Sequence, residues 1–370
     1  MAAPNVLGII YSNVYDDCLS ELTSVRTMGS VPFAGRYRLI DFVLSSMVNS
    51  GIAKVGISTK ANYQSLMDHI GSGKAWDLSR KRDGLTLLPP FNLTGSGGVY
   101  KNRLEALEGM LSYISDSGKD YVLLSDCNVV CNLDYESIVD EHIKSGADIT
   151  VAYKRGVVPK LENIMTFALD GDRITNVTVG QAGENAADYS LNIIVMSRIL
   201  LERLVSSAQG QGYESFERDI IAKNVESLYI RGHKIDTYAK TIESLQSYYD
   251  ISMGLLSGEY KELFAKEYPV FTKVRDDMPA IYGVCADAKN SLVADGCIIK
   301  GTVENCILFR GVQIAEGAVV KNSIIMQDSF ISSGAKINCA ILDKNVVIKP
   351  GRELSGAESY PIYIGKNITV

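Results

Sequence analysis

Histidine and paired cysteine, the usual ligands of protein zinc sites, are scarce in this 370-residue sequence. It contains three histidines, His69, His142 and His233, and seven scattered cysteines that form no Cys-x-x-Cys pair. A structural zinc site needs four thiolate or imidazole ligands at characteristic spacings. The sequence therefore predicts no zinc site, and unpaired thiols are typical of a reducing cytoplasm.

Long apolar runs and an excess of positive charge are also absent. No stretch approaches the roughly 20 apolar residues that cross a bilayer. The first ten residues lack the basic segment of a signal peptide and predict a strand instead. A net charge of −6 argues against nucleic acids and anionic membranes as partners, because both attract cationic surfaces. We therefore expect a cytoplasmic protein that acts on small molecules or other proteins.

Short apolar runs alternate with amphipathic stretches from residue 1 to about 250. Four runs have the length and β-branched content of strands: Val6–Ile10, Lys54–Ser58, Tyr121–Leu124 and Asp148–Ala152. Two stretches have helical periodicity: Arg38–Met47 and Leu104–Tyr113. This alternation predicts an α/β domain with a mostly parallel sheet, in which ligands bind beyond the carboxyl ends of the strands. Asp126 follows one such strand and is a candidate site residue.

An internal repeat begins at about residue 290. Its glycines stand 17 residues apart and close tetrads of similar pattern: Val293-Ala-Asp-Gly296, Ile314-Ala-Glu-Gly317, Ile331-Ser-Ser-Gly334 and Ile348-Lys-Pro-Gly351, the first set off by a longer spacing. A coil of this length suits three flat sides with glycine at a corner where φ is positive. The repeat predicts a parallel β-helix over 290–370, whereas an ordinary β-sandwich would show no fixed spacing. Residues 251–289 predict a helix and an extended connector.

Histidine is missing from the repeat region, which bears on its function. Acyltransferases built on such coils use a histidine there as general base. No histidine follows His233, so the coils are expected to serve assembly and regulation instead.

Several segments resemble bacterial ADP-glucose pyrophosphorylase, the glucose-1-phosphate adenylyltransferase family. They are Val31-Pro-Phe-Ala-Gly-Arg-Tyr-Arg-Leu-Ile-Asp-Phe-Val-Leu-Ser45, Asn49–Ile52, Tyr63–Ile70, Leu123–Asp126, Asp134-Tyr135 and Ser215–Ile221. The resemblance implies a Rossmann-like nucleotidyltransferase (GT-A-like) domain, a left-handed parallel β-helix and a tetramer. It also implies the joining of ATP and glucose 1-phosphate into ADP-glucose and diphosphate for glycogen synthesis.

The chemical groups of that family are largely missing from the matching positions. The family's Gly-Gly-x-Gly-x-Arg phosphate loop falls on Asn13–Cys18, and no cation replaces its arginine. Only Asp126 survives, as a vestigial metal carboxylate, and a single carboxylate cannot hold magnesium in the two-sided clamp of this chemistry. The degenerate positions are Asn13, Val14 and Asp16 for the glycines, Cys18 for the arginine, Met28 for a lysine, Asn102–Glu105 for a Gly-Thr-Ala-Asp loop, Gly180 (in Val179–Gln181) for the sugar-phosphate lysine, and Thr241 for the second metal carboxylate.

Two arginines match the family's activator segment. Arg36 stands where the family has a lysine, and Arg38 lies two residues on. An arginine fork suits a phosphate, so both are candidate effector ligands, for example for fructose 1,6-bisphosphate. A solvated surface pair or an ion pair with Asp41 explains them equally well.

Because the chain resembles the family but lacks most of its charged catalytic groups, the resemblance implies a regulatory subunit of the GlgD type. Such a chain would be non-catalytic or weakly catalytic and would modulate a catalytic homologous subunit in a mixed tetramer. It would need no cofactor of its own, magnesium being held by the catalytic partner. The alternative is an active nucleotidyltransferase with rearranged groups, in which Asp236 and Asp126 together hold magnesium.

Overall fold

A computed structural model describes residues 5–90, 100–180, 183 and 185–370. Two regions follow one another along the chain, a sheet covered by helices and a stack of short parallel strands. Gln181 of the Val179–Gln181 match lies outside the described residues.

The first region is built on a nine-stranded sheet of the described residues. Its strands are β1 (Val6–Tyr11), β4 (Lys54–Ser58), β5 (Gly84–Leu88), β6 (Tyr121–Asp126), β8 (Ile149–Val157), β9 (Met165–Asp170), β10 (Arg173–Val179), β11 (Ala186–Ser197) and β12 (Ile230–Lys234). They lie in the order β5-β4-β1-β6-β11-β8-β12-β10-β9. Two short pairs lie outside this sheet: β2 (Pro32–Phe33) with β3 (Tyr37–Arg38), and β7 (Val129–Cys131) with β13 (Ala239–Thr241). All four predicted strands and both predicted helices are confirmed, with ends displaced by a few residues.

The expectation of a mostly parallel sheet is wrong for half of this sheet. Strands β5, β4, β1 and β6 run parallel, as do β8 and β12, but β11 is antiparallel to both β6 and β8. The described residues between β8 and β11 contain no helical crossover, and β9 returns to β10 through the tight turn at Gly171-Asp172. A short return forces antiparallel pairing, whereas parallel strands need a long crossover.

Alternating side chains of the strands feed two apolar cores. In β1, Val6 and Ile10 belong to one core, and Leu7 and Ile9 to the other. Helices cover both faces because each has one apolar side that packs on the sheet. They are α1 (Ser20–Thr23), α2 (Leu39–Asn49), α3 (Gln64–Ile70), α4 (Arg103–Ser115), α5 (Tyr135–Ser145), α6 (Arg198–Gln211), α7 (Leu245–Gly254) and α8 (Tyr260–Leu263).

The second region confirms the 17-residue repeat as stacked parallel strands. Gln313 pairs with Phe330 and Phe330 with Val347, each seventeen residues on, as expected for a parallel β-helix. The strands are β14 (Ile281–Tyr282), β15 (Asp287–Lys289), β16 (Leu292–Val293), β17 (Ile298–Ile299), β18 (Thr302–Leu308), β19 (Gln313–Ile314), β20 (Val319–Ile325), β21 (Phe330–Ile331), β22 (Lys336–Asn338), β23 (Ala340–Leu342), β24 (Val347–Ile348), β25 (Glu353–Ser355) and β26 (Ile362–Ile364). Since β14 already pairs with β17, the stacking begins before the predicted boundary at 290.

One member of the predicted repeat occupies a different corner. Val293 pairs with Leu308, so Gly296 lies against Gly311 and not against Gly317. The corner of Gly317 continues through Gly334 and Gly351, which have positive φ as expected. The longer spacing before Gly317 therefore marks a change of corner next to a shorter coil, in which Ile298 pairs with Gln313 only fifteen residues on.

The two regions share a core and a buried ion pair. Phe309, Ile324 and Ile341 of the coils belong to the same apolar core as Phe42 of α2. Arg26 Nη2 lies 2.8 Å from Asp343 Oδ1, and both side chains are at most 2% exposed. The coils are thereby joined to the sheet region by contacts that exclude water. In the described part of the chain, no helix is long and apolar enough to span a membrane.

Candidate functional site

A cavity of about 400 Å³ opens where parallel strands of the sheet end. Tyr11 at the end of β1 is in register with Ser58 of β4 and Asp126 of β6. The turns after these strands therefore meet at one edge of the sheet, where α/β folds bind ligands. The lining comes from the turn after β1, the turn after β4, the start of α4 and a short helix near 217: Asn13, Val14, Asp16, Asp17, Ser20, Thr23, Ser24, Lys60, Ala61, Asn62, Tyr100, Lys101, Asn102, Arg103, Asn163 and Glu217.

The turn after β1 is held closed by its own side chains. Asn13 Nδ2 donates to Asp16 Oδ2 at 2.6 Å and to the Ala61 carbonyl at 3.2 Å, while Asn13 Oδ1 accepts from the Lys60 N–H at 2.9 Å. The other oxygen of Asp16 accepts from the Met28 N–H at 2.7 Å. Polar groups that a phosphate loop would present to a ligand are thus bonded to one another.

Both carboxylates of this turn, Asp16 and Asp17, line the cavity. Asp16 is partly buried, and burial raises its pKa to about 7, against the hydrogen bonds from Asn13 and Met28. Asp17 is exposed. A polyphosphate placed against this turn would meet the charge of Asp17, which repels it, although Lys60 and Lys101 also line the cavity.

Cys18, at the position of the family's arginine, provides no positive charge. Its Sγ donates to the Tyr15 carbonyl at 3.0 Å, and burial raises the thiol pKa to about 12. Val14 lines the cavity with an apolar side chain. Met28 is 1% exposed, so it lies in the core where the family has a lysine.

Asp126 forms a buried ionic cluster with Arg103 and Glu217. Arg103 Nη2 lies 2.5 Å from Asp126 Oδ2, and Arg103 Nη1 lies 3.3 Å from Glu217 Oε1. All three side chains are at most 3% exposed, and the guanidinium carbon stands 5.0 Å from the centre of the Tyr11 ring. The only surviving carboxylate of the sequence match is thus neutralised from within the chain.

The pKa values of this cluster agree with an ion pair at neutral pH. Burial opposes the charge of Arg103, but the carboxylates of Asp126 and Glu217 raise its pKa. Burial raises the pKa of Asp126 to about 6, although Arg103 acts in the opposite direction. Arg103 therefore keeps its proton while Asp126 is ionised at pH 7.

A divalent cation held by two carboxylates does not fit this arrangement. Within the described ranges, no group of three or more His, Cys, Asp or Glu side chains is placed to bind a metal. Thr241 offers only a buried hydroxyl on β13. Asp236 is 77% exposed, pairs with Lys234 at 2.7 Å and does not line the cavity, so it is not brought to Asp126.

The position of the family's sugar-phosphate lysine carries no side chain. Gly180 has φ +77° and donates its N–H to the Ile164 carbonyl at 2.9 Å. Arg218 Nη2 would lie 3.3 Å from a Cβ at this glycine. Arg218 also lines a neighbouring cavity of about 360 Å³, so a cation is present near the position but on a different element.

Arg36 and Arg38 line a separate cleft of about 290 Å³ between α3, the connector and the coils. Arg310, only 5% exposed, has Asp277 Oδ2 as its nearest carboxylate, 3.7 Å away. Six cations and two carboxylates, Asp68 and Asp328, face this cleft. The cations are Arg36, Arg38, Lys273, Arg275, Arg310 and Lys344.

The charges in this cleft repel one another. Burial, with Arg38 and Arg26 nearby, lowers the pKa of Lys344 to about 7, and burial lowers that of Arg38 to about 10. Asp41 is bonded to His69 Nε2 at 2.6 Å and to the Arg38 backbone N–H at 3.0 Å. Arg38 Nη1 donates to Ser65, and Arg36 is exposed beside the Tyr37 ring.

Arg103, Glu217 and four cations of the cleft are the site residues that sequence reasoning missed; the cations are Lys273, Arg275, Arg310 and Lys344. Arg103 lies in Asn102–Glu105 and Glu217 in Ser215–Ile221, both already matched to the family as segments. The sequence shows Arg103 at the position of the hydroxyl residue in the family's Gly-Thr-Ala-Asp loop. No local sequence pattern indicates that this arginine contacts Asp126.

Comparisons with known proteins agree with this architecture. A nucleotidyl transferase family model matches residues 17–162, and a GlmU-like C-terminal hexapeptide model matches residues 280–358. The chain is 35% identical to the glycogen biosynthesis protein GlgD of Bacillus subtilis over 98% of this chain and 96% of that protein. It is 38% identical to GlgD of Geobacillus stearothermophilus over 85% of this chain and 82% of that protein. It is 34% identical to a glucose-1-phosphate adenylyltransferase of Pseudothermotoga lettingae over 85% of this chain and 76% of that protein. The chain therefore belongs to the family of GlgD glycogen biosynthesis proteins, which are related to the glucose-1-phosphate adenylyltransferases.

Proposed function

We propose that this chain is a regulatory subunit of a glucose-1-phosphate adenylyltransferase in glycogen biosynthesis, with little or no catalysis of its own. In this role it modulates a catalytic homologous subunit, which converts ATP and glucose 1-phosphate into ADP-glucose and diphosphate. The observation that carries the proposal is the ion pair of Asp126 with Arg103, which occupies the centre of the would-be active site.

The positions that match the family's reactive groups lack the charges that the reaction needs, although Lys60 and Lys101 line the cavity. Attack of a sugar phosphate on an α-phosphorus requires donors for the triphosphate, a divalent cation and a cation for the sugar phosphate. Here Asn13 and Asp16 bond each other, Arg103 is bound by two carboxylates, and Gly180 offers no charge. Loss of one such electrostatic contact typically costs about 2.7–4 kcal/mol of transition-state stabilisation. Several losses together would reduce turnover to near background.

The cationic cleft is the proposed effector site. A sugar bisphosphate such as fructose 1,6-bisphosphate would place two dianionic groups among Arg36, Arg38 and their neighbours. Arg310 and Lys344 come from the coils, whereas Arg36 and Arg38 come from the sheet region. An anion bound between them would draw the two regions together, because it offsets repulsion that is present without it.

The proposed assembly is a mixed tetramer with a catalytic subunit in the cytoplasm. The intact fold and the edges of the stacked coils support a role in subunit contact. We also propose that the coils wind to the left, as the resemblance to this family implies.

The test measures ADP-glucose formation by this chain alone, a catalytic homologue alone and the two co-expressed, each with and without sugar phosphates. We expect near-background turnover alone and a changed turnover or activator response in the mixture. Normal turnover by the pure chain, or unchanged kinetics of the catalytic subunit in the complex, would refute the proposal.

The effector cleft is tested by Arg310→Ala in the same mixture. Charge-assisted hydrogen bonds contribute about 1.5–3 kcal/mol, so the sugar bisphosphate concentration for half-maximal response should rise about tenfold or more. Arg82→Ala removes an exposed cation that does not line the cleft and is the matched control. Equal effects of the two variants would show that the cleft is not the effector site.

A further inference from the structure

The ion pair at Asp126 has the form of an internal substitute for a metal. Arg103 joins Asp126 of β6 at 2.5 Å and approaches Glu217 of the short helix Phe216–Ile221 at 3.3 Å. These two carboxylates come from different parts of the chain and face a single cation. Burial of two ionised carboxylates without a counter-ion is strongly unfavourable, so a cation at this position is what allows both to stay ionised.

The start of helix α4 fixes the position of Arg103 beside the two carboxylates. Asn102 Oδ1 accepts from the Glu105 N–H at 2.9 Å, and Glu105 Oε2 accepts from the Lys101 N–H at 2.7 Å. The Asn102 cap starts α4 at Arg103, and the bond from Glu105 fixes the residue that precedes the cap. The Tyr11 ring lies beneath the guanidinium at 5.0 Å and adds a cation–π contact.

A guanidinium and a divalent cation differ in charge and in the coordination positions that they offer to other ligands. Magnesium keeps coordination positions for water and phosphate oxygens, and its charge exceeds that of one carboxylate. The guanidinium has no coordination positions and carries a single charge, so the cluster with Asp126 and Glu217 keeps a net negative charge. Among the residues that the structure describes, Asp126 Oδ1 and Arg103 Nε have no hydrogen-bond partner, and the cluster forms part of the cavity floor through Arg103 and Glu217.

We propose that Arg103 is a built-in counter-ion that takes the place of a divalent cation at Asp126 and Glu217 and excludes metal from this chain. The inference deepens the proposed function, because it identifies the group that makes the site independent of metal. It predicts that the two carboxylates become a cation site once the guanidinium is removed.

The experiment titrates the full chain with Mn²⁺ alone and follows free Mn²⁺ by electron paramagnetic resonance. Wild-type protein should show no saturable site, and Arg103→Lys, which keeps a cation, should behave in the same way. Arg103→Ser should bind one Mn²⁺ per chain. Any residual Mn²⁺ binding by wild type should be at least about tenfold weaker, since the guanidinium is a like charge in the site. Adding Asp126→Asn to Arg103→Ser should abolish that binding.

Two results would overturn the proposal. One is a stoichiometric Mn²⁺ site in wild type that Asp126→Asn removes. The other is a folded Arg103→Ser or Arg103→Gln protein, judged by circular dichroism, that gains no site. If Arg103→Ser and Arg103→Gln fold only when Mn²⁺ is present, that metal-dependent folding supports the proposal. If neither variant folds with Mn²⁺, the result counts against it. The titration contains no nucleotide or partner subunit, so its outcome is independent of the kinetic test of regulation.

Discussion

Asn13 shows how one side chain can close a ligand site. Its amide joins Asp16, the Ala61 carbonyl and the Lys60 N–H, so it connects the turns after β1 and β4. Glycine at this position would leave the same backbone groups free for a ligand. The exchange of a glycine for an asparagine therefore turns a binding loop into a structural contact.

Asn13→Ala should destabilise the fold by about 1–3 kcal/mol, because the Lys60 N–H and the Asp16 carboxylate lose a buried partner. Urea denaturation measures this change. Asp17→Asn is the control, since Asp17 is exposed in the same turn and should change stability by less than about 0.5 kcal/mol. Similar small effects of both variants would show that the Asn13 contacts are not important for stability.

His142 gives the fold a sensitivity to acid. Burial lowers its pKa from 6.5 to about 4, and its Nδ1 lies 2.8 Å from the Thr150 hydroxyl. Between pH 6.5 and 4 the unfolded chain binds this proton and the folded chain does not, so stability falls as the pH falls through this range. His142→Gln should flatten that part of the profile of thermal unfolding against pH. Parallel profiles of wild type and variant would contradict this assignment.

At the scale of elements, an asparagine ladder supports one corner of the coils. Asn305 Nδ2 donates to Asn322 Oδ1 at 3.2 Å, and Asn322 Nδ2 donates to Asn338 Oδ1 at 3.0 Å. Asn290, Asn305 and Asn322 have positive φ, which asparagine tolerates better than other residues with a side chain. The ladder satisfies side-chain amides from coil to coil along this corner.

Asn322→Ala should cost about 1–2 kcal/mol through its positive φ, plus the two ladder bonds. Asn322→Gly loses the same bonds without the backbone strain and should cost less. Guanidinium denaturation of the two variants separates the contributions. An alanine variant as stable as the glycine variant would show that the backbone relaxes at this corner.

At the scale of the whole molecule, Arg26 and Asp343 connect the coils to the sheet region. Asp343 also accepts from the Tyr363 hydroxyl at 3.2 Å, and it precedes Lys344 of the cationic cleft. A change in the cleft can thus reach the ion pair through adjacent residues. An effector bound at the cleft, as proposed, would contact both regions through these residues.

Arg26→Ala should destabilise the protein by about 3–5 kcal/mol, because it leaves Asp343 buried without its counter-ion. The double variant Arg26→Met with Asp343→Leu should regain most of that loss, since it removes both charges. A double-mutant cycle in urea measures the coupling. Additive losses in the cycle would show that the pair contributes nothing as a pair.

Sequence patterns alone determined the strands and the 17-residue coil of this protein, because periodicity and residue type within short segments fix backbone geometry. The degenerate turn at Asn13–Cys18 was indicated instead by the resemblance to the adenylyltransferase family. Only the tertiary structure decided that Arg103 lies between Asp126 and Glu217, and that Arg310 and Lys344 join Arg36 and Arg38 in one cleft. Their charges meet across long sequence separations, so the partners depend on strand order and on the packing of the coils. The antiparallel β11 likewise depended on short returns that periodicity does not record.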